Sequence, residues 1–287
     1  MSINVLNMPT AEQQEEQILV LREIAGKMGL VDTISSWADV QMIVRRGLAT
    51  KYFAVGDQLV AKYNNIPTVW NVIGINHDTP STAGMTFSMT IQTVDCLSNV
   101  MFDAPEPSNP DADRKLYGSN RYIHSAIRQW LNSNATTFAW VSQHAYDVAP
   151  TGAPYTGSGF LKLLDPELSA VIGSVTKQVA KATVDGGGQD TFTDKVFLLS
   201  KKEIYGTDEG TITGEVVYPF YSKLNAATSD AALAGRIKLL AAASRLWWLR
   251  SPSVSHSNHA RIVSTDGSVN INSSYYAIGL APACAII

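Results

Sequence analysis

Residues 247–283 read WWLRSPSVSHSNHARIVSTDGSVNINSSYYAIGLAPA, and this stretch carries the clearest structural signals in the chain. Asp266-Gly267 is a strong hairpin-turn signal. Val263 and Val269 flank that turn and are predicted to face inward. The period of two in the apolar positions predicts short strands. They are Trp247–Arg250, Ala260–Val263, Gly267–Asn270 and a last one from Ala277 to the end.

The same region is unusual in composition. From Leu249 to Ile287 there is no Lys, Glu, Gln, Met or Trp, although these five types supply 44 of the 287 residues. At the average usage of the chain, about six would be expected there. Ser, Asn, His and Tyr crowd residues 253–276 instead, which is typical of an exposed hairpin and also of a recognition surface.

The first fifty residues differ from the rest and predict a short helical segment. Thr10-Ala-Glu-Gln13 is a capping-box pattern, and apolar residues follow at helical spacing from Ile18 to Met28, with Gly29 as the stop. A second helix is predicted from Ser36 to about Arg46. Two such helices cannot bury their apolar faces alone, so they pack on the main domain or on other copies of the chain.

Residues 51–287 mix short strands with scattered helices, and no internal repeat is visible. That pattern predicts an α+β domain rather than alternating βαβ units. The segment from Pro105 to Arg114 is rich in Pro, Asp and Asn and is predicted to be a surface loop. The predicted strands are Tyr52–Val60, Thr68–Ile73, Met85–Ile91 and Lys195–Ser200, and the predicted helices are Tyr122–Leu131, Pro166–Ile172 (capped by Asp165) and Ser229–Leu240.

Composition excludes several classes of function. A net charge of −3 gives no basic surface for nucleic acid, and no apolar run is long enough for membrane insertion. The start lacks a secretory-signal layout, so we expect a soluble protein made in a cytoplasm. Cys96 and Cys284 cannot build a disulfide scaffold and are expected to be buried apolar residues.

Chemical signatures are equally sparse, and we predict no enzyme, no metal and no cofactor. The common motifs for nucleophilic serines, zinc peptidases, phosphate loops and dinucleotides are absent. His256 and His259 have a spacing that would suit a metal on a helix, but they lie among Ser and Asn before a strand. Asp111 and Asp113 lack the Gly and the distal Glu of a calcium loop and are interpreted as solvated carboxylates.

Five motifs are distributed over nearly the whole chain. They are Val55-Gly-Asp-Gln58, Ser125-Ala-Ile-Arg-Gln-Trp-Leu-Asn132, Asp194-Lys-Val-Phe-Leu-Leu-Ser200, Trp247-Trp-Leu-Arg-Ser-Pro252 and Gly279-Leu-Ala-Pro-Ala283, of which the last two are fairly specific. In these motifs the chain resembles the C-type-lectin-fold variable proteins of diversity-generating retroelements, in the version frequent in gut phages and bacteria.

The resemblance implies a C-type-lectin-like domain of the formylglycine-generating-enzyme type over residues 51–287, preceded by the helical segment 1–50. In that family a reverse transcriptase mutates template adenines, and altered asparagine codons cannot encode Lys, Glu, Gln, Met or Trp. Arg250 and Arg261 would be frame residues that bond loop carbonyls. The implied variable, ligand-binding positions are Ser253, Ser255, His256, Ser257, Asn258, His259, Ile262, Ser264, Ser268, Asn270, Ile271, Asn272, Ser273, Tyr275 and Tyr276.

The expected partner is a protein or a cell-surface ligand, and the expected location is a phage tail or a bacterial cytoplasm. We also expect a homo-oligomer, because several copies raise the effective affinity of modest contacts. The alternatives are a bacterial displayed binder of the same family and a virion structural protein of fixed specificity. Glu106-Pro-Ser108 only approaches the calcium triad of sugar-binding lectins, and no cysteine-pair context supports a formylglycine-type oxidase.

Overall fold

The computed structural model describes residues 14–20, 34–207, 209–210, 212–222 and 230–287. The capping box at Thr10 and the helix stop at Gly29 lie outside these residues; within the first predicted helix, residues 14–20 are helical (α1). The further helices are Trp37–Arg45 (α2), Ala49–Tyr52 (α3), Ala112–Tyr117 (α4), Ala126–Leu131 (α5), Phe160–Leu163 (α6), Pro166–Val171 (α7), Lys201–Tyr205 (α8), Pro219–Ser222 (α9) and Asp230–Ala234 (α10), with 3₁₀ turns at Tyr122–His124 and Thr183–Asp185.

Runs of strands are separated by groups of short helices along the chain, so the fold is mixed α+β, as predicted. The strands are Gln58–Tyr63 (β1), Ile66–Ile75 (β2), Met89–Thr93 (β3), Asn99–Met101 (β4), Ile172–Gly173 (β5), Val175–Ala180 (β6), Gln189–Asp194 (β7), Val196–Phe197 (β8), Lys238–Leu240 (β9), Ala243–Arg245 (β10), Trp247–Pro252 (β11), His259–Val263 (β12), Val269–Ser273 (β13), Ala277–Gly279 (β14) and Ala283–Ile286 (β15).

Two larger sheets organise the domain. The first has the order β1-β2-β3-β15-β5, with β8 also paired to β15. The second has the order β13-β12-β11-β14-β4, in which β11 and β14 are parallel and the other pairs antiparallel. Hairpins β6-β7 and β9-β10 complete the strands. The last forty residues therefore contribute to both sheets, and the strand β15 lies in the middle of the first.

Large aromatic side chains fill the core beside the second sheet. Trp248 and Phe102 are fully buried with ring centroids 5.4 Å apart, and Tyr122 lies 6.1 Å from Phe102. The indole N–H of Trp248 donates to the Val100 carbonyl at 2.8 Å, so its polar atom is satisfied within the apolar interior. This packing makes the base of the second sheet rigid.

The second predicted helix of the N-terminal segment packs on its own chain. Ser36 caps α2 in a capping box with Asp39, and Val40, Ile43 and Val44 are buried, as the spacing predicted. The Gln41 amide donates to the Ile287 carbonyl at 2.6 Å, which ties α2 to the end of the chain. A contribution of this segment to oligomerisation stays a prediction.

Several predicted boundaries are wrong because turns interrupt the pattern. The strand expected from Tyr52 starts only at Gln58, after a turn in which Gly56 has a φ of +104° and donates to the Val72 carbonyl. The strand expected over 85–91 begins at Met89, and the one expected over 195–200 covers only Val196–Phe197.

The helix predictions were partly correct. Asp165 caps α7 as expected, accepting from the Glu167 N–H at 3.0 Å. The helix expected from Tyr122 is broken at Ser125, which has an extended conformation and caps α5. The helix expected over 229–240 ends at Ala234, because Lys238–Leu240 pairs as a strand with Ala243–Arg245. No helix within the described ranges is long and apolar enough to cross a membrane.

Candidate ligand-binding face

The C-terminal hairpin β12-β13 closes through the predicted Asp266-Gly267 turn. The Asp266 carboxylate accepts from the Ser268 N–H at 2.9 Å, and Gly267 has a φ of +82° that favours glycine. A Cβ at Gly267 would also collide with the backbone of Leu233. Val263 is fully buried and Val269 is half-buried against the same core, as the inward-facing prediction required.

Three tyrosine rings lie together beside the hairpin. The rings of Tyr275 and Tyr276 lie 4.1 Å apart, and Tyr117 of α4 lies 5.5 Å from Tyr275. Tyr276 is 45% exposed. The sequence analysis missed Tyr117, because α4 is far from the hairpin along the chain. Of the predicted positions, Ser255, Asn270 and Tyr276 are exposed, and His256, His259, Ser264, Ser268, Ile271, Asn272 and Tyr275 are half-buried.

Five predicted positions are buried in the chain, so the expectation that the whole set lies on an exposed face is wrong for them. Ile262 points into the main hydrophobic core. The Ser257 hydroxyl donates to Asp111 at 2.9 Å, because the segment 109–120 covers the loop before β12. The buried positions are Ser253, Ser257, Asn258, Ile262 and Ser273.

The loop 253–259 is held chiefly through its main chain. Asn120 is fully buried, and its side-chain amide donates to the carbonyls of Ser253, His256 and His259 at 3.3, 2.8 and 2.9 Å. The Arg114 guanidinium donates to the Ser257 carbonyl at 3.1 Å. Because every residue type has a carbonyl, these bonds fix the path of the loop without specifying its exposed side chains.

The predicted histidine pair lies inside this loop. The rings of His256 and His259 pack edge to face with centroids 4.7 Å apart. His256 Nδ1 bonds to the Ser253 hydroxyl at 2.9 Å, and His259 Nε2 lies 3.4 Å from the Ser273 hydroxyl. Burial, followed by the neighbouring His256, lowers the pKa of His259. In each ring, one nitrogen therefore has a serine hydroxyl group as its neighbour.

Beneath the loop, Arg250 anchors a buried charge network. Its guanidinium is fully buried and bonds to Glu203 at 2.6 Å and to the Leu198 carbonyl at 2.7 Å, and it also pairs with Glu215. Burial alone would lower the pKa of Arg250, but Glu203 and Glu215 raise it overall. The frame role expected for Arg250 fits these contacts. Arg261 forms an ion pair with Glu209 at 2.7 Å instead of bonding a loop carbonyl.

The network continues through residues that the sequence analysis did not single out. Lys177 is buried between Asp78, Glu203 at 2.7 Å and the Tyr218 hydroxyl at 2.8 Å. The adjoining cavity is only ≈ 40 Å³, far below the size of a small-molecule site. Since each charge has an opposite partner, the network fits a structural role under the hairpin.

A second polar cluster lies where the segment 103–120 meets the loop near residue 144. Asp103, Glu106 and His144 each place one possible ligand atom within 4.8 Å of those of the other two, and both carboxyl groups are fully buried. Glu106 therefore departs from the surface loop predicted for residues 105–114. Asp111, predicted to be a solvated carboxylate, instead caps α4 by accepting from the Arg114 N–H at 2.9 Å.

The two cysteines are free and buried, as predicted from the sequence. Burial raises the pKa of the Cys96 thiol to about 11 and raises that of Cys284 as well. Neither therefore has the low pKa that activates a catalytic thiol.

Comparison with known proteins identifies a family for this chain. Neither the curated proteins nor the solved structures contain a significant match to the chain. One family pattern, described as a domain of unknown function (DUF6273), matches residues 91–287. This match runs from within β3 to β15 and includes the hairpin, the loop 253–259 and the cluster of Asp103, Glu106 and His144. Of the charge network around Lys177 and Arg250, it leaves out Asp78. Because it extends over more than half of the chain, the protein belongs to the DUF6273 family.

Proposed function

We propose that this protein binds a protein or cell-surface ligand through the face formed by its C-terminal hairpin. The observation that carries the proposal is the main-chain anchoring of the loop 253–259 by Asn120 and Arg114. A loop held by its carbonyls keeps its shape when its exposed side chains change. That separation of a fixed path from a changeable surface is what a diversified binding face needs.

The chemistry of the surface supports recognition. Tyr117, Tyr275 and Tyr276 supply large rigid contact area, and exposed Ser255 and Asn270 supply adaptable hydrogen-bonding groups. Tyrosine buries much area at a small cost in conformational entropy, so such a surface suits macromolecular ligands. The net charge of −3 favours a partner other than nucleic acid.

The absence of Lys, Glu, Gln, Met and Trp from residues 249–287 supports diversification by a retroelement, as in the variable proteins that the chain resembles. Burial narrows the set of positions that can vary. A large side chain at Ser253, Ser257, Asn258 or Ser273 would collide with packed neighbours, and a polar one at Ile262 would be buried without partners. The proposed variable positions are therefore Ser255, His256, His259, Ser264, Ser268, Asn270, Ile271, Asn272, Tyr275 and Tyr276.

The proposal includes a C-type-lectin-like domain over residues 51–287 and display on a phage tail as a homo-oligomer. The two antiparallel-rich sheets and the loops that converge beside the hairpin are compatible with this assignment. Multivalent display would raise the effective affinity of a face whose individual contacts are modest. Catalysis and a cofactor have no part in the proposed activity.

The test is deep sequencing of codons 245–287 and of the downstream DNA across a source population. We expect substitutions at the ten exposed or half-buried positions, each matched to an adenine in a nearby near-repeat. Codons 247–252 and 279–283 serve as the internal control, because their residues are buried and should not vary. Uniform codons without a template copy would refute diversification and leave a binder or virion structural protein of fixed specificity.

A further inference from the structure

The cluster of Asp103, Glu106 and His144 has polar atoms without hydrogen-bond partners in a buried position. Asp103 and Glu106 are both 0% exposed. Asp103 Oδ2, Glu106 Oε1 and His144 Nε2 are buried and have no hydrogen-bond partner among the described residues, and the three side chains lie close together. A buried polar atom without a partner destabilises the fold by about 1–3 kcal/mol. Three such atoms facing one another therefore call for a group between them.

The other atoms of these side chains are already engaged, which fixes their orientation. Asp103 Oδ1 accepts from the Ala126 N–H at 3.1 Å, and Glu106 Oε2 accepts from the Asn109 amide. His144 Nδ1 lies 2.8 Å from the Ala145 carbonyl oxygen. A carbonyl only accepts, so Nδ1 carries the proton and the lone pair of a neutral imidazole lies on Nε2.

The distances fit ligands around an ion better than direct hydrogen bonds. His144 Nε2 lies 3.6 Å from Glu106 Oε1 and 3.9 Å from Asp147 Oδ1, both beyond normal hydrogen-bond length. Two ligands at about 2.1 Å from one tetrahedral ion would be separated by roughly 3.4 Å. Inward movement of a few tenths of an ångström would therefore bring Glu106 Oε1 and His144 Nε2 to coordination distance, and the Asp103 carboxyl group has a possible ligand atom within 4.8 Å of both side chains.

The electrostatics favour a cation. Asp103, Glu106 and Asp147 place three carboxyl groups around His144, and those of Asp103 and Glu106 are fully buried. The Arg114 guanidinium, on the same segment as Asp103 and Glu106, is paired with Asp185 at 2.7 Å. Three carboxyl groups thus share a low-dielectric space with one imidazole, and a divalent ion would neutralise the charge that burial disfavours.

We infer that Asp103 Oδ2, Glu106 Oε1 and His144 Nε2 form a binding site for a divalent transition-metal ion, with Asp147 beside them. A ligand set that includes an imidazole suits Zn²⁺ or Mn²⁺, whereas Ca²⁺ and Mg²⁺ prefer oxygen ligands alone. The Nδ1–H bond to the Ala145 carbonyl is the outer contact that typically orients a metal-binding histidine. This site departs from the sequence expectation that the chain holds no metal.

The site has an access route and a structural consequence. His144 and Asn109 line a surface cavity of ≈ 250 Å³, through which an ion can enter. Asp103 begins the segment that carries Tyr117 and Asn120, and its N–H donates to the Ser274 carbonyl at 3.1 Å. A bound ion would join the loop at residue 144 to this segment and so brace the underside of the hairpin face.

The experiment uses the full-length chain, stripped with EDTA and then titrated with Zn²⁺ or Mn²⁺ alone. Calorimetry and elemental analysis of the desalted protein measure uptake. We expect one ion per chain, and a rise in Tm of about 5 °C at a hundredfold excess over Kd. Asp103→Asn and His144→Gln should each weaken binding by at least about tenfold. The matched control is Asp113→Asn, an exposed carboxylate of the same segment, which should bind like the wild type.

The stability of the variants in EDTA provides a second measurement. Asp103→Asn removes a buried carboxyl from a repulsive cluster, so it should match or exceed the wild-type Tm without metal and fall below it with metal. This reversal cannot arise from misfolding. The inference is overturned if the wild type takes up neither ion, if it binds Ca²⁺ only, or if Asp103→Asn binds as tightly as the wild type.

Discussion

Replacing Asn120 by Ala tests whether the loop before β12 is held through its main chain. The Asn120 amide makes two bonds of normal length, to the His256 and His259 carbonyls, and a longer one to Ser253. Each normal bond contributes about 1 kcal/mol. The Ser253 and His259 carbonyls keep backbone partners, whereas the His256 carbonyl loses its amide donor. The substitution also removes Asn120 Oδ1, a buried acceptor without a partner among the described residues. This gain offsets part of the cost of leaving the His256 carbonyl without its amide donor. The net expected loss of unfolding free energy is about 2 kcal/mol.

Urea unfolding measures this loss, and amide hydrogen exchange localises it to residues 253–259. The matched control is Asn270→Ala on the exposed side of β13, where the side chain's one hydrogen bond within the described part of the chain is to the N–H of Ile271. That control should change the free energy of unfolding by less than about 0.5 kcal/mol. Asn120→Asp keeps the shape of the side chain but places a carboxylate, which only accepts hydrogen bonds, against three carbonyl oxygens. It should therefore lower the free energy of unfolding more than Asn120→Ala does. A loss below about 1 kcal/mol for Asn120→Ala, or equal losses at Asn120 and Asn270, would refute the reasoning.

Three further predictions concern the turn, a buried lysine and the thiols. Gly267→Ala should lower Tm at least twice as much as Gly186→Ala, because both residues have positive φ but only Gly267 also meets neighbouring backbone. Burial lowers the pKa of Lys238 to about 8, so the unfolded chain binds more protons from there up to about pH 10. The stability of the wild type in urea, measured relative to that of Lys238→Met, should therefore rise with pH across that window. The buried thiols, whose raised pKa values act in the opposite direction, are common to both proteins and cancel in this difference. Parallel pH profiles for the two proteins would exclude a contribution from Lys238. Ellman's reagent should reach Cys96 and Cys284 only after urea unfolds the chain, and rapid labelling of the native protein would contradict their burial.

Local signals predicted the elements that depend on a few neighbouring residues. Ser36 and Asp165 start their helices where the capping preferences placed them. Asp266-Gly267 closes its hairpin, because the aspartate bonds to the backbone two residues on and glycine accepts the positive φ. The helix expected through Leu240 failed, because pairing of Lys238–Leu240 with the next strand outweighed the local helical preference.

In the candidate sites too, the sequence analysis failed where a residue's partners are distant along the chain. Asn120, Tyr117 and Lys177 were missed, because their partners lie far away along the chain, in the hairpin or in other elements. No spacing rule joins Asp103 to His144, since α4, a 3₁₀ turn and α5 separate them along the chain. The sequence motif at Arg250 did predict a frame role, but it did not indicate the buried glutamates that the guanidinium binds.

By itself, the sequence determined the mixed α+β class, the hairpin turn, several helix caps and the polar, lysine-free composition of the C-terminal face. These properties follow from residue types and from hydrogen bonds within a few positions. Only the tertiary structure decided that Ser257 and Asn258 are buried while Asn270 is exposed, and that Asp103, Glu106 and His144 converge. The physical reason is that solvent exposure and charge pairing depend on which distant segments pack together, and a single sequence does not specify those contacts locally.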